Sequence, residues 1–321
     1  MKKHLRTLVC ITICLSLCFL LCACSDGEPT VSNVSADDQP LISFTDDLGR
    51  SISIARPTRV AAMIGSFAEI WCLAGGRGTL VAAASDTWTS FDLGLDSSVV
   101  DIGAVKSPSL ETLLAARPDF ILASCNTTAN LELEETFSTA GITTAYFDVQ
   151  TIDDYLNMLN ICTQLTSHEE NYDVYGTAVK AQSAAAIARQ DGSSPRILCI
   201  RATGSSCKAK GSRDNLLGGM LHDLGCVNIA DSDNALLDDL SLENILADDP
   251  EYIFVVLQGA DPTRAMETLN GTLLSNPAWQ QLTAVKEDRF YTLEHELYNL
   301  KPNDRWGEAY EKLADILYGE Q

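Results

Sequence analysis

The sequence predicts an α/β protein of two Rossmann-like lobes with mostly parallel sheets, bridged by a single long α-helix. Three observations carry this expectation. Short apolar runs alternate with helix-length segments before residue 150, and the same rhythm restarts after Pro195. Between them, Ile152 to Ala188 contains no proline and one glycine, Gly176, and holds the helix-favouring Ala184-Ala185-Ala186. Finally, residues 109–121 (SLETLLAARPDFI) return as residues 241–253 (SLENILADDPEYI), with seven identical positions at an offset of 132. That period is too long for a solenoid, and it fits two similar lobes that each contain a helix-Pro-strand unit.

The chain opens with Lys2, Lys3 and Arg6, followed by an uncharged apolar run from Thr7 to Ala23. A basic segment before an apolar one is the pattern of an export signal. Its end, Leu21-Cys22-Ala23-Cys24, resembles the bacterial lipobox, in which the cysteine is acylated and becomes the new N-terminus. A plain transmembrane anchor is the alternative, because 17 residues sit at the short edge of a membrane span. Residues 1–23 are therefore expected to be a lipoprotein signal, Cys24 the lipidation site, and 24–40 a polar tether. Residues 41–167 would form the first lobe, 168–191 the bridging helix and 192–321 the second lobe.

Along the first lobe, Ile42-Ser43-Phe44 and Ser51-Ile52-Ser53-Ile54 alternate around Asp46-Asp47-Leu48-Gly49-Arg50, which reads as a hairpin. Strands are expected at Val60–Ile64, Leu80–Ala84, Phe120–Ala123 and Ile142–Phe147, with helices from Ser66, Ser109 and about Asn130. The bridging helix, His168 to Gln190, would measure about 34 Å and stop at Asp191-Gly192-Ser193-Ser194-Pro195. In the second lobe, strands are expected at Arg196–Ile200, Tyr252–Leu257 and Phe290–Leu293. Helices are expected at Leu216–Leu224, from Ser241, and at Trp306–Tyr318.

Composition limits the function. The 321 residues are 46% hydrophobic and 21% charged, which argues against disorder. The formal charge is −22, and residues 1–23 carry none of the acid, so nucleic acid is an unsuitable partner. Of eleven cysteines, six lie beyond residue 24, and none of these forms a C-x-x-C pair. Buried thiols are the simpler reading. A Cys207–Cys226 disulfide is allowed outside the cell but not established by spacing. The chain contains no H-E-x-x-H, G-x-S-x-G or P-loop pattern, so it is not expected to be an enzyme. An unrecognised hydrolase and a surface adhesin are the rival classes.

Ligands of open α/β sheets bind beyond the C-terminal ends of strands. That rule singles out Phe67, Trp88 and Lys106 in the first lobe. In the second it singles out Arg201, Lys208, Lys210 and Arg213, then His295, Tyr298 and Arg305. Four cations within 13 residues of so acidic a chain suggest an anion site, with an ordinary solvated loop as the alternative. Phe67 and Trp88 offer flat apolar surface, with core packing as the alternative. His295 and Tyr298 are the candidates for an axial ligand to haem iron. Glu111 and Glu243 occupy equivalent first-turn positions after Ser109 and Ser241. Either they face the helix dipoles, worth roughly 0.3–1 kcal/mol each, or they form a matched pair on the surface.

The motifs Thr45-Asp46-Asp47-Leu48-Gly49-Arg50, Arg56-Pro57-Thr58-Arg59-Val60, Ser66-Phe67-Ala68-Glu69-Ile70, the two S-L-E units, Ala284–Tyr291 and Lys301–Glu308 run in one order from residue 41 to the end. Together they resemble the iron-chelate (siderophore or haem) and vitamin B12 class of ABC-transporter substrate-binding proteins. The resemblance implies a monomer tethered outside the cytoplasmic membrane, with no cofactor of its own. It would pass an iron-containing chelate, most simply an anionic ferric siderophore, to a permease dimer driven by a cytoplasmic ATPase. Haem and cobalamin are the alternatives. The resemblance also implies that Glu111 and Glu243 dock on permease arginines.

Overall fold

The computed structural model describes residues 40–319, except 214, 233–235, 238–239 and 260. The expected signal, Cys24 and the tether up to residue 39 lie outside the described residues. A compact unit begins at Pro40. Among the described residues no helix is long and apolar enough to cross a membrane.

The strands in chain order are β1 (Ile42–Thr45), β2 (Ser51–Ile54), β3 (Val60–Ala62), β4 (Leu80–Ala83), β5 (Val100–Asp101), β6 (Gly103–Ala104), β7 (Ser107–Pro108), β8 (Phe120–Ser124) and β9 (Thr143–Phe147). The second lobe adds β10 (Arg196–Ala202), β11 (Cys207–Lys210), β12 (Val227–Asn228), β13 (Tyr252–Leu257) and β14 (Phe290–Leu293). The first lobe is a parallel sheet in the order β5-β4-β3-β8-β9. The second runs β11-β10-β13-β14, with β12 beside β10, and only β11 is antiparallel. β1 and β2 form the expected hairpin. It is clamped to the first lobe by Arg50, whose guanidinium pairs with Asp46 and Glu134, donates to the Thr144 carbonyl and lies over the Tyr146 ring.

Continuous apolar runs become strands covered on both faces. In β13, Tyr252, Phe254 and Val256 enter one core while Ile253 and Val255 enter another. In β8, Phe120 and Leu122 enter that same first core, and Ile121 and Ala123 enter a third. One apolar core thus runs through both lobes, and the other two back the outer faces of the sheets. A shared close-packed core of this kind restricts how far the lobes can move relative to each other.

The bridging segment departs from the straight His168–Gln190 helix. Ile152–Thr166 is a separate helix, opened by a Thr151/Asp154 capping box and closed by Ser167 in the left-handed region (φ 53°). The bridge runs from Glu170–Tyr172 through a π-helical turn, Asp173–Thr177, into Ala178–Ile187. A π turn frees backbone carbonyls, and the Tyr155 hydroxyl donates to that of Tyr175 at 2.7 Å. The C-terminal helix Trp306–Tyr318 buries Trp306, Tyr310 and Leu313 beneath it. Gly307 permits the approach, since a Cβ there would meet Gln182 Oε1 at 2.1 Å.

All six described cysteines are free. Cys207 and Cys226 are buried thiols, so the disulfide allowed from sequence is not formed. Burial pushes the Cys72 and Cys125 thiols up to about 11, which leaves them protonated at neutral pH.

Candidate functional site in the interlobe cleft

A cavity of about 590 Å³ opens between the lobes. Thr89 and Ser90 line it from the first lobe, and Leu257, Gly259, Pro262, Leu293, His295 and Glu296 from the second. It lies beyond the C-terminal ends of β13 and β14, where the strand-end rule points. Trp88, 43% exposed, precedes Thr89 in the short helix Asp86–Thr89. Asp86 anchors that helix by accepting from the Gly65 amide at 2.9 Å.

Three of the four basic residues lie on strands and not in a loop. Arg201 lies in β10, and β11 folds back so that Lys208 stands opposite Arg201 and Lys210 opposite Cys199. Residues two apart on a strand share a face, so Arg201, Lys208 and Lys210 form one basic face, while Ala202, Cys207 and Ala209 enter the core behind it. Like charges directly opposite on antiparallel strands are destabilising. Burial lowers the pKa of Arg201. Burial, then Arg201 and Lys208, lower that of Lys210. Arg213, exposed, lines a different cavity of about 600 Å³ with Lys210, Ser212, His222 and Asp231. The four cations expected at one place are therefore divided between two.

Three expectations are corrected. Phe67 is 0% exposed and meets Phe147 edge-on at 6.2 Å, so it is core and not cleft surface. Tyr298 is 3% exposed and its hydroxyl donates to the Ala309 carbonyl at 3.0 Å, which removes it as an oxygen ligand. Arg305 is committed to Glu308 at 2.6 Å and reaches Glu294 at 3.8 Å, with Lys312 joining both carboxylates, so its charge is spent on this network. Glu308 is held down to about 2 by the bonded Arg305, then by Lys312, against some desolvation. Lys106 is exposed at the turn between β6 and β7.

His295 is partly buried, and its Nδ1 lies 3.0 Å from the Leu257 carbonyl. Lys301 is also partly buried. Burial lowers its pKa, and the opposing influences are Asp148 and Asp154 of the first lobe. Among the described residues, no group of three or more His, Cys, Asp or Glu could hold a metal ion.

A further contact joins the two lobes. Asn303, 0% exposed and at φ 53°, donates through Nδ2 to the Ser66 carbonyl at 3.0 Å and to Glu69 Oε2 at 2.6 Å. Burial, opposed by that hydrogen bond, raises the Glu69 carboxyl to about 7. The only sequence signal was Glu69 in a run of otherwise apolar helix, Phe67 to Leu73.

Ser109 and Ser241 cap their helices, accepting from the Thr112 and Asn244 amides. Glu111 and Glu243 are both exposed in the first turns. The repeat thus yields two surface carboxylates in matching local settings, and capping is compatible with a further role.

The sequence profile of a family described as periplasmic binding protein matches residues 60–297. The chain belongs to this family. No match is found among curated protein sequences. Among solved structures, the chain is similar to the siderophore binding protein BauB, bound to two acinetobactin molecules and ferric iron. That match has a TM-score of 0.69 at 18% identity, covering 88% of this chain and 100% of that one. It is similar to Staphylococcus aureus SirA complexed with staphyloferrin B, with a TM-score of 0.65 at 20% identity over 86% and 97% of the two chains. It is also similar to the heme-binding protein RhuT of Roseiflexus in apo form, with a TM-score of 0.64 at 20% identity over 81% and 97%. At such identities the likeness is one of fold, and the two-lobed periplasmic binding fold is this chain's architecture.

Proposed function

We propose that this periplasmic binding protein is a lipid-anchored, extracytoplasmic receptor that captures an anionic metal chelate, a ferric siderophore first, and delivers it to an ABC-type permease. The observation that carries the reading is the basic face of Arg201, Lys208 and Lys210 in a chain of net charge −22. Arg201 and Lys210 line a pocket with Val256 and Tyr298, apart from the lining of the larger interlobe cavity, and an anion bound there would offset their like charge. Trp88, exposed and next in the chain to the cavity-lining Thr89, supplies an aromatic surface. BauB and SirA, similar in fold and each bound to a siderophore, support the same chemical class. Catalysis is not part of the proposal, and no turnover of the ligand is expected. The lipid on Cys24 is proposed from the lipobox alone. Cys24→Ala is expected to leave an unprocessed, unlipidated precursor, as read by mass spectrometry.

The test is titration of the purified protein with ferric catecholate and carboxylate siderophores, haem and cobalamin, followed by tryptophan fluorescence. Charge-assisted contacts contribute about 1.5–3 kcal/mol each. Arg201→Ala is therefore expected to weaken ferric siderophore binding by about one to two decades. The loss should shrink with added salt where the contact is open to water. Cobalamin affinity should barely change. Tight cobalamin or haem binding without siderophore binding would overturn the ligand class and leave the family assignment standing. Consumption of a candidate ligand would overturn the receptor reading.

A further inference from the structure

The contact between Glu69 and Asn303 is linked to both walls of the interlobe cavity. Glu69 belongs to the Gly65–Leu73 helix, and the Gly65 amide at its start donates to Asp86 at 2.9 Å. Asp86 opens the short helix that ends at the cavity-lining Thr89. A Cβ on Gly65 would meet the Thr87 amide nitrogen at 2.8 Å, so the two helices pack without slack. On the other side, the helix His295–Tyr298 supplies His295 and Glu296 to the same cavity. Leu300 donates to the His295 carbonyl at 3.1 Å, and the chain then runs through Pro302 directly into Asn303. Asn303 holds a left-handed backbone, which asparagine tolerates better than most residues.

This joint gives a charge on Glu69 little support. Among the described residues its one hydrogen-bond donor is Asn303 Nδ2, which also serves the Ser66 carbonyl. The buried Oδ1 of Asn303 has no partner among the described residues. Of the charged neighbours, Asp304 opposes ionisation, and Arg305 favours it but is bonded to Glu308. Tyr155 and Cys72 also sense Glu69, and burial pushes both up, so they stay neutral near pH 7. The Glu69 carboxyl itself is raised by burial to about 7. A ligand that bridges the cavity displaces water between the two walls, and an anionic one adds negative charge. Both changes favour the protonated form of a carboxyl in the joint.

We infer that the Glu69–Asn303 joint couples ligand binding to a proton: a ligand that bridges the lobes takes up a proton from solvent at Glu69, and loss of that proton weakens its hold. The inference rests on the cleft-receptor reading above but not on the class of chelate. No bond to the ligand forms at Glu69 and no redox step is involved. The coupling is reciprocal, so the proton strengthens binding as much as binding strengthens the hold on the proton. Its effect is fully present below the carboxyl's value in the free protein and is lost as pH rises through its value in the complex. Such a receptor loads best in a mildly acidic medium and releases more readily in an alkaline one.

The experiment titrates the purified full-length protein with a ferric trihydroxamate, a ferric tricatecholate and cyanocobalamin between pH 6 and 8.5. Calorimetry in two buffers of different ionisation heat counts the protons, and infrared difference spectra report protonated carboxyl. The expected result at pH 7.5 is uptake of a fraction of a proton and growth of a protonated-carboxyl band on binding. Affinity should fall about five- to tenfold from pH 6 to 8.5, the change produced by a one-unit shift of the carboxyl. Glu69→Gln keeps an oxygen for Asn303 and has nothing to titrate. It should lose the proton uptake and hold the affinity of the wild type at pH 6 throughout. Asp304→Asn should leave both effects in place. Equal proton counts and pH profiles in wild type and Glu69→Gln, proton release in place of uptake, or loss of the effect only in Asp304→Asn overturns the inference while the receptor reading stands. Where Glu69→Gln does not fold, the wild-type infrared spectrum decides, and no growth of the carboxyl band overturns it. Failure of the wild type to bind any of the three probes, or a siderophore or haem from the wider panel, overturns both.

Discussion

Replacing Glu111 and Glu243 together by alanine is expected to cut ligand uptake by cells about 30-fold or more, the loss typical of removing a docking hot spot. Affinity for the ligand in solution should stay the same, because neither residue lines the interlobe cavity. Each single variant should retain part of the uptake, since one carboxylate remains. The structure separates this outcome from the capping effect. Ser109 and Ser241 provide the caps, and both stay in place in the double variant. What the glutamates add to the helices is the interaction of exposed carboxylates with the helix dipole, roughly 0.3–1 kcal/mol each. A small drop in melting temperature is thus expected in either case. Uptake measured beside a melting curve distinguishes the two, and normal uptake in the double variant rejects docking.

Glu69→Gln is expected to make the protein more stable at pH 8 and to flatten its stability between pH 4.5 and 7. The wild-type carboxyl is raised by burial from 4.5 to about 7. A carboxyl raised on folding favours the folded state most at low pH, below its unfolded value. That contribution is lost as pH rises through the folded value, because the folded state must then hold a buried charge. A shift of this size corresponds to roughly 3 kcal/mol across the window. Asp304, Asp86 and Asp47 are also raised, mainly by burial, and add to the same trend. The glutamine variant isolates Glu69 from them. Its side-chain oxygen can still accept from Asn303, so the joint is kept while the charge is removed. Glu308 has the opposite sign. It is held down to about 2, so its contribution is present above 4.5 and is lost as pH falls toward 2. With a 37% exposed side chain it is expected to contribute little. Chemical denaturation of wild type and Glu69→Gln at pH 5 and pH 8 checks the prediction. Parallel pH profiles in the two proteins would reject it.

The joint also bears on function. Asn303 ties the turn before the last helix to the Gly65–Leu73 helix of the other lobe. Charging Glu69 makes it the better acceptor for Asn303 but leaves a desolvated charge in a joint between lobes that already share one core, so its effect should be lost stability rather than a wide opening.

Local patterns were legible wherever one physical rule governed them. Tyr252–Leu257 and Phe290–Leu293 are strands as read from their apolar runs, and Trp306–Tyr318 is a helix as read from its periodicity. The two S-L-E units became capped helices because a serine oxygen satisfies amides that a helix end leaves free, which is a local matter. The bridging helix was legible in position but not in detail. At its π turn the Tyr175 carbonyl accepts from Tyr155, a residue of a different helix.

The candidate site shows the same division. The cluster of cations was visible as composition, and Gly204-Ser205 is a local mark of the turn between β10 and β11, but no local pattern shows that Arg213, beyond β11, lines a second cavity with Lys210. Phe67 and Tyr298 were chemically suitable and were buried by partners far along the chain, Phe147 and Ala309. The sequence by itself determined the two-lobed α/β class, the repeat and the acidic surface, because periodicity, capping and charge act between near neighbours. Only the tertiary structure decided which side chains face the cleft, that Nδ1 of His295 is held by Leu257, and that Asn303 meets Glu69. Those contacts join residues tens to hundreds of positions apart, and only packing brings such groups together.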